Sequence, residues 1–235
     1  PAMSQPLFHP PAPTTVTIAG TSERFPLHRI YCVGRNYAAH AREMGANPDR
    51  EQPFFFLKPV DAIVEIAAGR TGEWAYPAAT KDCHHEMELV VALKSGGTDI
   101  PVEQGADHLY GYAPGLDMPR RDLQTQAKKN GHPWEAGKAF ERSAPIGPIT
   151  PKSVTGELLK GAITLNVNGK TKQKGDLADL IWSVNETISV LSKLWTLQPG
   201  DLIYTGTPEG VGAVQKGDLL EGHIDGLGDL KLRVV

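Results

Sequence analysis

Cysteine is almost missing from this chain. Cys32 and Cys83 are its only two thiols and they form no C-x-x-C pair, which speaks against a disulfide-held secreted protein and points to a reduced, cytoplasmic one. Long hydrophobic runs are missing too. No stretch of about 18 apolar residues occurs, and no charged-then-apolar signal segment opens the chain, so neither membrane insertion nor export is expected. Charge of one sign is in short supply. With a formal net charge of -3 and no block rich in Lys and Arg, the chain has no electrostatic footprint for nucleic acid. Cationic side chains in a functional site are then left to serve a small anion.

Glycine and proline are plentiful instead. The 25 Gly and 19 Pro of these 235 residues exceed average usage without reaching the level of disorder, so many short strands, structured loops and few helices are expected. The fold class this predicts is mainly β with some α (α+β). Residues 1–15 are Pro-rich and polar, and 1–24 read as an N-terminal arm before a domain over 25–235. Short strands are predicted at 16–18, 30–33, 53–60 and 62–66, and the tail from 216 alternates like closing antiparallel strands. Asn168-Gly169, inside an alternating run, is a hairpin signal. One long helix is predicted over 177–194, with Leu180, Ile181, Val184, Ile188, Leu191 and Leu194 on one stripe. A short helix over 38–44 is ended by Gly45 and Pro48.

The chemistry centres on residues 82–93 (DCHHEMELVVAL), a polar entry running straight into a β-branched apolar strand. Strand alternation puts His84, Glu86 and Glu88 on one face. Two carboxylates side by side at a core boundary repel unless a cation lies between them. Asp117 offers a third oxygen ligand, although capping a helix whose first turn holds Pro119 is a sufficient reason for it to be there. An all-oxygen set with no thiolate suits Mg2+, Mn2+ or Ca2+ rather than Zn2+. His40 and Glu43, at i and i+3 of the short helix, form either a surface pair or an imidazole held as a general base by a carboxylate. Lys58, at the end of an aromatic strand, either snorkels to solvent or offers its charge to an oxyanion. The Gly-rich loop 205–212 lacks the order of a phosphate-binding fingerprint, yet its amides are free to cradle a carboxylate.

Taken together, GRNY at 34–37 with His40 and Glu43, FLKP at 56–59, HEME at 85–88, GLDM at 115–118, RDLQ at 121–124, GKAF at 137–140 and TGTPEGVG at 205–212 resemble the fumarylacetoacetate hydrolase (FAH) family, in that family's order and over nearly the whole chain from about residue 25. The segment from Asn36 to Arg50, with its FFF continuation, looks most like the bacterial fumarylpyruvate hydrolases of gentisate degradation. Pro119 departs from the small hydroxyl residue expected in many relatives. The resemblance implies an FAH-type mixed β-sandwich roll, a homodimer, and Glu86, Glu88 and Asp117 as ligands of Mg2+ or Mn2+. It further implies that His40 and Glu43 activate water. Lys58, Gln124 and Lys138 are implied as polar contacts, Lys138 or Lys58 stabilising an oxyanion, and Arg121 and Thr207 as binding substrate oxygens. The reaction implied is hydrolysis of a carbon-carbon bond in an acylpyruvate such as fumarylpyruvate. The same apparatus can decarboxylate oxaloacetate or isomerise an unsaturated keto diacid. A fumaryl tail carries a second carboxylate, for which Arg35, Arg42 and Arg120 are the candidate partners.

Overall fold

Short strands punctuated by glycine and proline assemble into two main sheets in the computed structural model, which describes residues 5–46 and 50–235. The larger sheet runs from the edge strand Phe54–Lys58 through Ile30–Gly34, Leu202–Tyr204, Met87–Leu93, Leu109–Leu116 and Ala144–Ile146 to Ile63–Glu65, and Thr150–Pro151 also pairs with Leu109–Leu116. It is mixed: Leu202–Tyr204 lies parallel to Ile30–Gly34 and antiparallel to Met87–Leu93. The smaller sheet orders Lys170–Asp176, Ala162–Val167, Leu219–Ile224, Leu230–Val234 and Thr71–Trp74.

The sheets pack face to face. Met87, Leu89, Val91 and Leu93 enter one apolar core with Leu165, Leu220 and Leu232 of the smaller sheet. Val90 and Ala92 point the other way, into a second core with Ile30, Leu202 and Tyr204. Burial on both faces explains why residues 89–93 of this strand are continuously apolar and do not alternate. Strand geometry puts Glu88 on the face of Val90 and Ala92, at the point where apolar cover ends.

Local signals set the turns. Asn168 and Gly169 both adopt positive φ, 51° and 77°, as a two-residue hairpin with the native strand twist requires. The long helix is shorter than its apolar stripe predicts. It spans Val184–Leu194, preceded by a single 3-10 turn at Leu177–Asp179, and Leu194 is exposed. Two devices stop it from starting earlier. The Asn36 side chain donates to Trp182 O at 2.9 Å and accepts from Trp182 N–H at 2.7 Å, holding the chain extended there. Ser183 and Glu186 then form a reciprocal capping box. A Ser183→Ala variant is expected to lose about 1 kcal/mol of stability, read from the midpoint of a denaturant melt.

The body of the fold takes in more of the N-terminal region than an arm over 1–24 implies. Residues 5–14 run along the outside, but Thr15–Thr17 pairs with Arg24–Pro26, and Val16 and Ile18 are buried in the second core. Pro48, one of the two stops proposed for the short helix, and residues 1–4 lie outside the described residues. Cys32 and Cys83 are free and buried. Among the described residues no helix is long and apolar enough to cross a membrane.

Candidate active site

Two neighbouring strands leave the larger sheet together and carry three carboxylates with them. Glu86 directly precedes Met87–Leu93, Glu88 lies within it, and Asp117 follows the last residue of Leu109–Leu116. A backbone bond from Asp117 N–H to Glu86 O, 2.9 Å, fixes their relative height. One oxygen from each residue lies within 4.8 Å of the others, and the three are 4, 2 and 1% exposed. Buried carboxylates this close require positive charge among them. Lys138 supplies it by pairing with Asp117 and, at 2.9 Å, with Glu86 Oε2. Lys58 Nζ lies 2.8 Å from Asp117 Oδ1, and Arg121 Nη2 donates to Glu86 Oε1 at 2.6 Å. Three cations thus face three carboxylates, and every one of their ion pairs is to Glu86 or Asp117.

The balance is uneven from one acid to the next. Burial alone would raise the Glu86 carboxyl, but Lys138, Arg121 and His40 together hold it well below the usual carboxylate range. Glu88 goes the other way. Burial, and then the charges of Asp117 and Glu86, push it well above that range, with the Gly206 amide at 3.0 Å as its hydrogen-bond donor. Burial works against the Lys138 ammonium, yet Asp117 and Glu86 hold it charged. Asp117 Oδ1 is buried and accepts no well-aligned hydrogen bond, despite the Lys58 ammonium beside it. Three buried, converging carboxylates, one of whose oxygens lacks a hydrogen bond, fit a hard divalent cation. Glu86, Glu88 and Asp117 are the residues able to hold one.

The short helix Ala38–Glu43 faces this floor across a cleft of about 410 Å³, part of it open to solvent. His40 lines the cleft and is 6% exposed. Its Nδ1 lies 3.2 Å from Glu43 Oε2, and both Glu43 oxygens accept the Gly210 N–H at 3.1 Å. Gly210 has φ 94°, and a Cβ there would stand 1.9 Å from Lys172 O, so only glycine delivers this amide. Burial lowers the His40 pKa against the opposing pull of Glu86 and Glu43, which keeps the imidazole neutral. A proton on Nδ1 satisfies Glu43 and leaves the Nε2 lone pair free to take another. The loop over 205–212 does cradle carboxylates, and they are the protein's own.

A model of the family described as fumarylacetoacetate (FAA) hydrolase, C-terminal, matches residues 29–235. The chain belongs to the fumarylacetoacetate hydrolase family. Among its FAH relatives, a fumarylpyruvate hydrolase from Ralstonia sp is 46% identical over 194 residues, 81% of this chain and 98% of that protein. The mitochondrial oxaloacetate tautomerase of Rattus norvegicus is 41% identical over 205 residues, 87% of this chain and 90% of the relative. The crystal structure of fumarylpyruvate hydrolase from Pseudomonas aeruginosa in complex with Mn2+ and pyruvate superposes with a TM-score of 0.97 at 58% identity, covering 98% of this chain and 99% of that one. The FAH-type sandwich of two sheets with few helices is therefore the fold of this chain.

Within this FAH fold the other residues singled out from the sequence fall into distinct places. Asp117 caps no helix: the helix Arg121–Asn130 starts after Arg120, and Pro119 lies before its first turn. Lys58 does not snorkel. It is 3% exposed, donates to Ser143 Oγ at 2.9 Å and to Lys138 O, and braces Asp117. Arg121 and Gln124 line the cleft, joined by a 2.7 Å hydrogen bond. Thr207 lines it as well, but its hydroxyl is occupied, donating to Met87 O and accepting from Gln173 Nε2, both at 2.8 Å. Of the three arginines weighed for a distal carboxylate, Arg35 lines the cleft, stacked 5.3 Å from the Phe54 ring centroid. Arg42 borders a different pocket, and Arg120 stacks on Phe140. His84 sits beside the floor, its Nε2 2.8 Å from Asp82 and its Nδ1 accepting from Arg121 Nε at 3.3 Å.

Sequence reading misses Gln173, whose Oε1 accepts from Met87 N–H and His85 Nδ1, both at 3.0 Å, and so fixes the strand entry. It also misses Ser143, Lys128 and Trp134. Lys128 alone left a readable signal, at i+7 from Arg121 on one helical face.

Proposed function

We propose that this chain is a divalent-metal-dependent acylpyruvate hydrolase that cleaves fumarylpyruvate to fumarate and pyruvate. The observation that carries the reading is the His40–Glu43 pair, a base for water, on the same cleft as three buried carboxylates. The fumarylpyruvate hydrolases at 46% and 58% identity support the substrate, and the second relative's complex with Mn2+ and pyruvate supports Mn2+ or Mg2+ as the cofactor. Glu86, Glu88 and Asp117 would hold the ion, which supplies Lewis-acid stabilisation of an enolate when bound. The charge balance suits this. With all three carboxylates ionised, as a metal set requires, the floor's own charges cancel, a divalent ion would make it doubly positive, and a dianionic substrate would restore neutrality.

The protein's own groups then divide the work. His40 Nε2 takes a proton from water, and the hydroxide equivalent adds to the carbonyl distal to the pyruvoyl carboxylate. Glu43, fixed by the Gly210 amide, orients the imidazole and stabilises its charged form. Lys138 is the ammonium placed to stabilise the developing oxyanion, an effect worth about 3 kcal/mol per donor. The carbon-carbon bond breaks with its electron pair going to the pyruvate side. That carbon is then protonated, so one water is consumed and one proton is released per turnover. Phe56 and Trp134, which also line the cleft, limit access of bulk water.

Pyruvate release measured over fumarylpyruvate, other acylpyruvates and oxaloacetate, with Mg2+ or Mn2+ and again with a chelator, tests the reading. Metal-dependent pyruvate from fumarylpyruvate is expected; turnover of oxaloacetate alone would remove the hydrolase assignment. Oxaloacetate decarboxylation is the alternative and needs no attacking water; the relative named oxaloacetate tautomerase supports that substrate but not that reaction, since tautomerisation releases no pyruvate.

A further inference from the structure

The helix Arg121–Asn130 lays a polar track along one wall of the cleft. Arg121, Gln124 and Lys128 recur at i, i+3 and i+7, the spacing of a single helical face, and all three line the cleft. Arg121 and Gln124 are buried at the floor, whereas Lys128 is half-buried, about 10 Å further along the helix axis from Arg121. Arg35 lines the same cleft and is also half-buried. It is held in the left-handed region at φ 53° and stacked on Phe54.

These two cations differ from those of the floor. Lys58, Lys138 and Arg121 are each paired with a floor carboxylate, while neither Lys128 nor Arg35 forms an ion pair among the described residues. Burial, then the charges of Arg35 and Arg121, lowers the Lys128 pKa, as expected where like charges share a wall without an anion.

We propose that Lys128, together with Arg35, receives the distal carboxylate of the acyl chain and so sets a preference for dicarboxylic over monocarboxylic acylpyruvates. This rests on the acylpyruvate reading above. The pyruvoyl end belongs at the floor with Glu86, Glu88 and Asp117, and an extended acyl chain leads away from it toward the mouth. An anion arriving there relieves the repulsion between the two cations and gains a charge-assisted hydrogen bond from each.

The test compares fumarylpyruvate with acetylpyruvate, which lacks the distal carboxylate, on the metal-loaded full chain. In a Lys128→Met variant the ratio of the two kcat/KM values is expected to fall about tenfold, through KM for fumarylpyruvate. Lys128→Arg, which keeps the charge, should restore most of the ratio, and Lys128→Glu should lower it further. A ratio that stays at the wild-type value in both Lys128→Met and Lys128→Glu overturns the proposal. Should the wild-type protein release pyruvate from neither substrate, the hydrolase reading fails, and the subsite is then read by calorimetry with fumarate and crotonate. Tighter binding of fumarate that disappears in Lys128→Met supports it; equal affinities in the wild-type protein overturn it.

Discussion

A His40→Ala variant is expected to lose on the order of 10³-fold in kcat for acylpyruvate hydrolysis, the usual weight of a positioned general base. Metal affinity should persist, because His40 is not among the carboxylates that would hold the ion. The loss arises from geometry and from protonation. His40 is set across the cleft from the floor, its Nδ1 directed to Glu43, and burial keeps it neutral below the ordinary imidazole pKa of 6.5. A neutral base is lost only when pH falls through its own pKa. The acid limb of kcat/KM should therefore lie below 6.5 in the wild-type protein and vanish in His40→Ala. Stopped-flow measurement of substrate loss across pH reads both effects. A variant that keeps full activity would show that no water is activated here and would favour tautomerase or decarboxylase chemistry.

Replacing Glu88 by glutamine is expected to separate stability from activity. Turnover should fall by on the order of 10³-fold, because the proposed metal set would lose a charged oxygen, and the ion it would hold supplies several kcal/mol of transition-state stabilisation. Without metal, the same change should stabilise the fold at neutral pH. Glu88 has a raised pKa in the folded chain, first from burial and then from Asp117 and Glu86. The native state therefore holds a proton more tightly than the unfolded state. Its stabilising contribution is complete below the ordinary glutamate pKa of 4.5 and is lost as pH rises through the raised folded value. Glutamine has no such titration. Thermal melts in excess chelator should give Glu88→Gln a higher midpoint at pH 8 and a shallower decline with pH than the wild-type protein. Equal melting profiles would mean that the Lys138 charge and the Gly206 amide already relieve Glu88.

What the sequence shows and what it hides follow from the range of the forces involved. His40 and Glu43 are legible because a helix brings i and i+3 together whatever surrounds it. Glu86 and Glu88 are legible because strand alternation is equally local, and Asn168-Gly169 because a two-residue turn requires positive φ. The long helix is over-read at its start, since Leu180 and Ile181 continue the apolar stripe. The Ser183-x-x-Glu186 capping box was present as a signal to outrank it. Asp117 is ambiguous for a similar reason: a proline two residues later imitates a helix start. Only the pairing of its strand with Met87–Leu93 removes that reading. Gln173 and Ser143 come from segments 86 and 85 residues away from the groups they hold, Met87 and Lys58. Such contacts have no local pattern. Lys128 becomes readable once the helix is known to begin at Arg121, which fixes which of its residues share a face.

The two left-handed glycines of the 205–212 loop act as separate reporters. The Gly206 amide is committed to Glu88 in the floor, and the Gly210 amide to Glu43 on the short helix. If that helix swings outward, Gly210 alone is released to exchange its hydrogen with deuterated solvent; if the floor loosens, Gly206 is released instead. One loop of backbone therefore keeps independent time for the two halves of the cleft, and the difference between its two exchange rates measures how independently the halves open.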